Sequence, residues 1–375
     1  MIINLYKKDV AELNNTPIVQ QTAFWSVVKK KLGLNTIALN FESNRKSLYY
    51  NVSSDYVINS DLLVLIRQIN KTECIAYVPY GPELEPVQEF QASFLEELSE
   101  SLRSYLPKNC IMIRYDLCWE SYWVKDDSSY GCEGKWLGEP PEYSQEIRFN
   151  YNTYNKNFRK AYTNILPSNT IFLNLQPNIS TILDRMKPKT RYNIHLSHRK
   201  GVNVKRANIE SLDIWYSLYK ETALRNKIHL NDIKYFEALL TAKADNTKSP
   251  AEVQLLIAEQ DKVPLASMFL IVSGNRGAYL YGASSSRSRN LMAPYALQWE
   301  AIKISKEKGC TEYDMFGVAP NADRSHPLYG LYKFKTGFGG NIYHSLGCWD
   351  YPFNEEKYDY FRSSEITNQG FHLHS

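Results

Sequence analysis

The sequence predicts an α+β fold in two units, and three observations carry that expectation. The chain has 375 residues, long enough for two domains, and its 43% hydrophobic share is ordinary for a globular protein with sizeable cores. Three strand-like runs at 253–258, 264–272 and 277–283 are joined by short polar turns, Glu259-Gln260-Asp261-Lys262 and Ser273-Gly274-Asn275-Arg276, which reads as an antiparallel meander. Helical periodicities precede that meander, and a helix followed by another apolar run comes after it.

The elements follow in chain order. A helix is expected from about Thr22, with Phe24, Val27, Val28 and Leu32 sharing a face and Gly33 ending it. Ile75-Ala76-Tyr77-Val78 reads as a strand running into a Pro/Gly turn. Residues 90–106 form an amphipathic helix through Phe94, Leu95, Leu98, Leu102 and Tyr105, and residues 110–116 form the next strand. Between Trp119 and Tyr162 the chain is polar, aromatic and broken by Gly and Pro, so a hairpin with a long loop is expected there. A strand at 166–175 opens the second segment, a helix through Ile179, Ile182, Leu183 and Met186 follows, and 208–240 is largely helical.

The stretch from Gly277 to Gly340 organises the rest. Ala278-Tyr279-Leu280-Tyr281-Gly282-Ala283 alternates like a strand. Pro294 suits the first turn of a helix, where its missing N–H has no partner to lose, and Ala296, Trp299 and Ile302 continue at helical spacing. Lys306 and Lys308 oppose the dipole of its last turn, and Gly309 takes the left-handed stop. A second apolar run, 313–318, leads to a Gly- and aromatic-rich tail ending Lys333-Phe334-Lys335-Thr336-Gly337-Phe338. Helices, meander, helix and strand in this order are the layout of an acetyltransferase-type α+β domain. The first segment reads as a degenerate copy on architecture alone, because no close sequence repeat is present.

Composition narrows the function classes. A net charge of +4 is too mild to call for nucleic acid by itself. No run reaches the roughly 18 apolar residues of a membrane span, and the N-terminus lacks the pattern of a signal peptide. The six cysteines are scattered without a CxxC pair, which suits reduced thiols in the cytoplasm. His195 and His198 lie three apart without a carboxylate to complete a metal site, and His372 and His374 belong to the tail, so no metal is expected. From Arg185 to Arg206 there are eight Lys or Arg and no acid. That run, with Lys187, Lys189, Arg191, Arg199 and Lys200, reads either as a solvated basic face or as a contact surface for phosphates.

Several pieces then carry a resemblance. In order they are Gln20, Gln21, Trp25 and Lys29; Ile113-Arg114-Tyr115-Asp116; Met186-Lys187-Pro188-Lys189-Thr190-Arg191-Tyr192-Asn193-Ile194 with Gly201-Val202; Ile233-Lys234-Tyr235-Phe236; Tyr279-Leu280-Tyr281-Gly282-Ala283-Ser284; Ala293-Pro294-Tyr295-Ala296-Leu297-Gln298-Trp299; Tyr313-Asp314-Met315-Phe316-Gly317; and Gly330-Leu331-Tyr332-Lys333-Phe334-Lys335 with Gly337-Phe338. Each motif is weak alone; the ordered set, covering nearly the whole chain, resembles the Fem family (FemA, FemB, FemX), tRNA-dependent peptidyl transferases that build peptidoglycan cross-bridges.

The resemblance implies two acetyltransferase (GNAT)-like domains, 1–165 plus 345–375 and 166–344, the first completed by the C-terminal tail. No heptad run interrupts 200–250, so the coiled-coil arm of some members is not expected. It implies an aminoacyl-tRNA donor and a peptidoglycan precursor as acceptor, lipid II or UDP-MurNAc-pentapeptide, with no cofactor. A cytoplasmic monomer in peripheral contact with the inner face of the membrane is the corresponding expectation. Lys335 matches the family lysine that stabilises the charge of the transition state, and Asp116 a carboxylate near the cleft that accepts or relays the amine proton. Lys29 matches a contact to substrate phosphate, and Tyr235 and Tyr281 aromatic precursor contacts, with Tyr279 beside them. Where the family's precursor binder has an arginine four residues before Tyr235, this chain has Asn231, which cannot give a charged bidentate contact. Arg225, Lys227 and His229 are the nearby candidates to replace it, and otherwise the acceptor differs.

The chemistry fits these residue types. Amine attack on an ester builds an oxyanion, which a fixed cation or N–H donors stabilise. An activated ester needs no covalent intermediate, and the chain has no G-x-S-x-G elbow. Two other readings stay open. A CoA-dependent N-acyltransferase needs a Gly-rich turn before its helix, where this chain has Ser286-Arg287-Ser288-Arg289-Asn290-Leu291-Met292, although Arg287 and Arg289 can hold phosphate. A non-catalytic RNA- or glycan-binding protein would use the basic 185–206 face.

Overall fold

A computed structural model describes residues 2–50, 56–132 and 134–367; His372 and His374 lie outside them. In the first half, β1 (Ile3–Lys7), α1 (Ala23–Lys31), β2 (Asn35–Asn44), β3 (Val57–Gln68), β4 (Cys74–Val78), α2 (Gln88–Leu102) and β5 (Cys110–Glu120) follow one another. Strands β1 to β4 are antiparallel neighbours, and α2 carries the chain across to β5, which pairs parallel to β4. After α3 (Glu142–Phe149) and the short β6 (Arg159–Lys160), the second half begins with β7 (Asn169–Asn174), α4 (Ile179–Asp184), α5 (Pro188–Arg199), β8 (Asn203–Ala207), α6 (Leu212–Asn226) and α7 (Ile233–Thr241). The meander β9 (Ala251–Gln260), β10 (Val263–Ser273) and β11 (Arg276–Ser284) then leads through α8 (Ala293–Glu307) to β12 (Glu312–Asp314).

Here the pattern repeats. Strands β8 to β11 are antiparallel neighbours, and β12 pairs parallel to β11 after its crossover helix. The chain finishes with α9 (Tyr329–Lys335), β13 (Asn341–Pro352) and α10 (Glu355–Thr367). The fold is therefore α+β with two acetyltransferase-like units, and no coiled coil interrupts the described residues. Strand β13 is the seam: it pairs with β7 through Asn341–His344 and with β5 through Ser345–Pro352, joining both units into one sheet.

The C-terminal segment completes the first unit through a buried charge cluster. Arg114 on β5 is 1% exposed and donates to both oxygens of Asp350 on β13 (2.7 Å each) and to Glu365 on α10 (2.7 and 2.8 Å). Such a cation tolerates burial only because planar, two-pronged contacts replace its water.

Local sequence explains the elements. Thr22 caps α1, accepting from Trp25 N, and Gly33 takes φ +83° past its end. Separate cores lie beneath α2 and α8, and a third is shared between the units, built from α1, α6, α7 and the strand faces they cover. At its centre Trp215, fully buried, stacks on Tyr219 at 5.4 Å and meets Phe236 and Phe269 edge-on. Burying a side chain of this size is worth roughly 2–3 kcal/mol.

Three sequence expectations change. After β5 ends at Glu120, the described residues to 162 form short 3₁₀ turns, α3 and the two-residue β6, with one isolated bridge between Tyr130 and Trp136 instead of a hairpin. Pro140-Pro141 start that helix, and Phe149 stacks on Trp349 at 4.1 Å, so tertiary packing decides the conformation. The run 313–318 is a strand only to Asp314, because Phe316 turns left-handed at φ +59°. The segment before Gly337 is a helix, α9, where the sequence reads as a Gly- and aromatic-rich tail without an assigned element.

Candidate functional site

Strands β11 and β12 are in register only from Arg276 and Glu312 to Ala278 and Asp314, after which they part. Asp314 Oδ1 accepts from Phe316 N at 2.7 Å, and the left-handed turn at Phe316 follows. That conformation is costly for a bulky residue, of order 1–3 kcal/mol. It presents the carbonyls of Phe316 and Gly317 to Lys335, whose Nζ donates to them at 3.0 and 2.7 Å. Lys335 is 2% exposed at the end of α9, and its ammonium lies 5.1 Å from the centre of the Tyr279 ring. Burial pulls its pKa down from 10.5 to about 7, against the opposing pull of Asp314. An ammonium has three donors, and the two carbonyls are its hydrogen-bond partners among the described residues.

Glycines permit this packing. A Cβ on Gly282 would stand 1.6 Å from the Tyr279 hydroxyl, and one on Gly337 2.3 Å from Thr190 Oγ1 at the start of α5. The strand alternation expected for 278–283 is broken by a bulge opposite Phe269 and Leu270. Tyr279 consequently packs toward the α8 core and Tyr281 toward the shared core, so the two tyrosines do not form one wall.

Asp116 sits within β5 and is fully buried. Its Oδ2 accepts from Tyr77 Oη at 3.0 Å and from Leu166 N at 2.8 Å, while Oδ1 has no partner among the described residues. Burial raises its pKa to about 6, only partly offset by those donors. The next residue, Pro167, accepts from Tyr80 Oη at 2.6 Å and packs beside Gly317, so one short segment runs from Asp116 to the turn that holds Lys335. Nothing in the sequence marked Tyr77, Leu166 or the Phe316 carbonyl; they are spacing-free features of strands and turns.

Lys29, at the end of α1, points into an aromatic recess between the units. Its Nζ lies 4.9 Å from the Trp25 ring centre and 5.3 Å from that of Tyr235. Burial, helped by Arg67, lowers its pKa to about 8. Tyr235 and Tyr281 meet edge-on at 5.6 Å, and Asn231 donates to Tyr219 Oη at 3.4 Å. The structure thus gathers Lys29, Tyr235, Tyr281 and Asn231. Arg225 is not with them: its guanidinium is engaged by Ser284 O at 2.8 Å, Ser286 Oγ at 3.0 Å and Ser284 Oγ at 3.1 Å, where it straps the end of β11 to α6.

Lys189 and Arg199 on α5, and Lys187 and Lys200 capping its two ends, are exposed. Arg191 instead turns back onto the carbonyls of Asp184 and Met186 (2.9 and 2.5 Å), satisfying the end of α4. Further along, Lys205 pairs with Glu259 at 2.6 Å, so part of the basic run is neutralised.

Between the units lies a cavity of about 390 Å³, whose walls include Gln20, Tyr80, Glu83, Glu85, Asp314 and Phe316. Tyr80 and Phe316 meet edge-on at 6.3 Å. Phe316 and Asp314 therefore border the cavity on one side and the Lys335 turn on the other.

Fold and site together define a chain of paired acetyltransferase-like units with a buried lysine at the splayed end of one parallel strand pair. The chain belongs to the FemAB family, whose model matches residues 11–248 and 241–365. It is similar to the lipid II:glycine glycyltransferase of Staphylococcus epidermidis, 25% identical over 271 residues, which cover 57% of this chain and 65% of that protein. The protein of the same description from Staphylococcus aureus strain USA300 is 24% identical over 274 residues, again 65% of its length. This chain thus spans somewhat less than two thirds of these relatives. The crystal structure of FemX superposes with a TM-score of 0.69 at 18% identity, covering 96% of this chain and all of that one, which shows a shared fold.

Proposed function

We propose that this protein transfers an amino acid from aminoacyl-tRNA to the stem-peptide amine of a peptidoglycan precursor. The observation that carries the reading is the buried Lys335 ammonium, fixed by two backbone carbonyls beside a cavity between the units. The family membership and the relatives described as lipid II:glycine glycyltransferases support the acceptor class and favour a lipid-linked precursor.

In the proposed reaction the neutral amine of the acceptor attacks the ester carbonyl of the donor. The new C–N bond forms as the carbonyl electrons move onto oxygen, and the Lys335 ammonium stabilises that charge. The C–O bond to the ribose then breaks, and the proton released by the attacking nitrogen ends on the ribose oxygen. Asp116, with a pKa near 6 and one oxygen that has no hydrogen-bond partner among the described residues, is the candidate relay for that proton. Lys29 in its aromatic recess suits a phosphate of the precursor, since a partly desolvated ammonium gains most from an anion. With Asn231 in the place of an arginine, Lys29 is the cation that faces the aromatic rings of that recess, with Arg67 close enough to lower its pKa. The exposed lysines and arginine of α5 are proposed to contact tRNA phosphates, and residues 1–165 with 345–375 and 166–344 to act as the two working units. Among the described residues no helix is long and apolar enough to cross a membrane, so contact with a lipid-linked acceptor would be peripheral.

The test offers purified protein labelled aminoacyl-tRNA with lipid-linked or nucleotide-linked precursor, and in parallel acetyl-CoA with the same acceptors. Amino-acid transfer from tRNA supports the reading. Transfer from acetyl-CoA alone would replace it with the CoA-dependent one, and tRNA binding without any transfer would leave an RNA-binding protein.

A further inference from the structure

Two stretches of the chain carry no acidic residue, Arg185 to Ile209 and Arg324 to Trp349, and the fold lays them against each other. Lys187 N donates to Gly337 O at 2.9 Å and Lys187 Nζ to Thr336 Oγ1 at 3.4 Å. A Cβ on Gly339 would stand 3.2 Å from Arg185 O, and one on Gly337 still closer to Thr190. The start of α5 is thus fixed beside the end of α9. Arg185, Lys187, Lys189 and Lys333 are exposed along these two runs, and none of them pairs with a carboxylate among the described residues. The bordering acids in sequence are Asp184 and Asp323, and Asp323 is engaged by Ser325 N and Oγ at 2.9 and 2.8 Å.

A second feature is aromatic and independent of the charges. Helix α9 fully buries only Lys335. Phe334 anchors it edge-on to Tyr295 at 5.0 Å, and Tyr332 rests partly on the core beneath α8. Tyr329 is half-buried and belongs to none of the hydrophobic cores of the described residues. Its ring lies within 10° of parallel to that of Tyr332, with centres 6.4 Å apart, and Lys333 Nζ stands 5.7 Å from its centre. Beside them Gly330 leaves open space, since a Cβ there would meet nothing within 4 Å. Flat rings interleaved with cations suit a nucleic acid that offers both phosphates and open base faces, which a single strand does and a duplex does not. Half-buried rings also suit a planar base lying on them better than insertion among lipid tails.

We propose that α9 is the platform on which the single-stranded 3′ end of an RNA donor stacks, its bases against Tyr329 and Tyr332 and its phosphates along Lys333, Lys187 and Lys189. The assignment rests on the aminoacyl-tRNA donor proposed above. The helical rise puts Tyr332 about 4.5 Å and Tyr329 about 9 Å along the axis from Lys335. An RNA end seated there lies along the helix that finishes in that lysine.

The test titrates the full chain with a short labelled single-stranded RNA ending in CCA, with a blunt RNA duplex of the same length, and with inorganic polyphosphate. The single strand should bind more tightly than the duplex. Tyr329→Leu should weaken the single strand at least about fivefold, the lower bound for one base stack, and leave polyphosphate binding unchanged, while Tyr329→Phe should bind like the wild type. Lys333→Gln should weaken both ligands and lower the slope of log affinity against log salt for the single strand by about 0.7. Equal affinity of the single strand for the wild type and Tyr329→Leu, or an equal loss of single strand and polyphosphate in that variant, overturns the proposal. Tyr329-dependent binding of phosphatidylglycerol vesicles without binding of the single strand also overturns it, by giving the face to a membrane. The two readings fail separately. Transfer with an unchanged donor KM in Tyr329→Leu removes this platform and keeps the transferase, whereas Tyr329-dependent binding of the single strand by a protein that transfers nothing keeps the platform and removes the transfer.

Discussion

Lys335 concentrates the cost and the use of this site in one side chain. Its pKa of about 7 in the folded protein lies below the 10.5 of an unhindered lysine. Between those values the unfolded chain binds more protons than the folded one, so this group makes stability rise with pH from about 7 toward 10.5, and its full cost is felt below 7. Replacing it with methionine removes a buried charge worth a few kcal/mol but leaves two carbonyls short of a donor, each costing roughly 1–3 kcal/mol. Lys335→Met is therefore expected to be neutral or mildly stabilising at pH 6.5 and to flatten the rise in stability between pH 7 and 9.5, measured by urea unfolding. A loss of stability that is the same at both ends of that range would show that the lysine is not held as an unfavourable buried cation.

Elements carry the geometry that the residues use. The bulge in β11, the short β12 and the left-handed Phe316 together aim two carbonyls at one ammonium. Gly282 is the hinge of that arrangement, because a methyl group there collides with Tyr279, whereas Gly33 has φ +83° but open space around it. Gly33→Ala should cost about 1 kcal/mol from backbone strain alone. Gly282→Ala should cost more, roughly 2–4 kcal/mol, and reduce turnover, since Tyr279 must move from beneath Lys335. Similar losses in both variants, read by denaturant midpoints, would contradict the packing account.

Legibility at this scale followed local signals. Helix α1 was readable from Thr22 to Gly33, and the β9–β11 meander from its turns, because caps and turns are written within a few residues. Strands β1, β2 and β3 went unread: β2, Asn35–Asn44, mixes asparagine and serine into its buried pattern and depends on pairing with β3. The motif residues Lys29, Tyr235, Tyr281 and Asn231 were found from the family resemblance and do come together. The separation of Tyr279 from Tyr281 and the removal of Arg225 to a strap were not legible, because a bulge and a tertiary hydrogen bond decide them. Lys335 in Lys333-Phe334-Lys335 looks like a surface charge, and only the fold buries it.

The whole molecule is one sheet with two working halves. Strand β13 and the Arg114 cluster tie the last segment to the first unit while the same strand begins against the second. Exposed cations on and beside α5 belong to the second unit, whereas Lys29 belongs to the first. Reversing Lys189 and Lys200 to glutamate should weaken tRNA binding and lower the slope of log affinity against log salt by about 1–2. Arg191 is the poorer probe because it holds the end of α4. An unchanged slope would assign the basic run to solubility.

The most direct measurement is single-turnover transfer from labelled aminoacyl-tRNA to lipid-linked precursor, made with the wild-type chain and with Lys335→Met at saturating acceptor. The account predicts transfer by the wild type and a fall of about 10²–10³ in the rate for the variant, with acceptor affinity changed less than threefold. An undiminished rate in the variant, or a loss of affinity as large as the loss of rate, would contradict it.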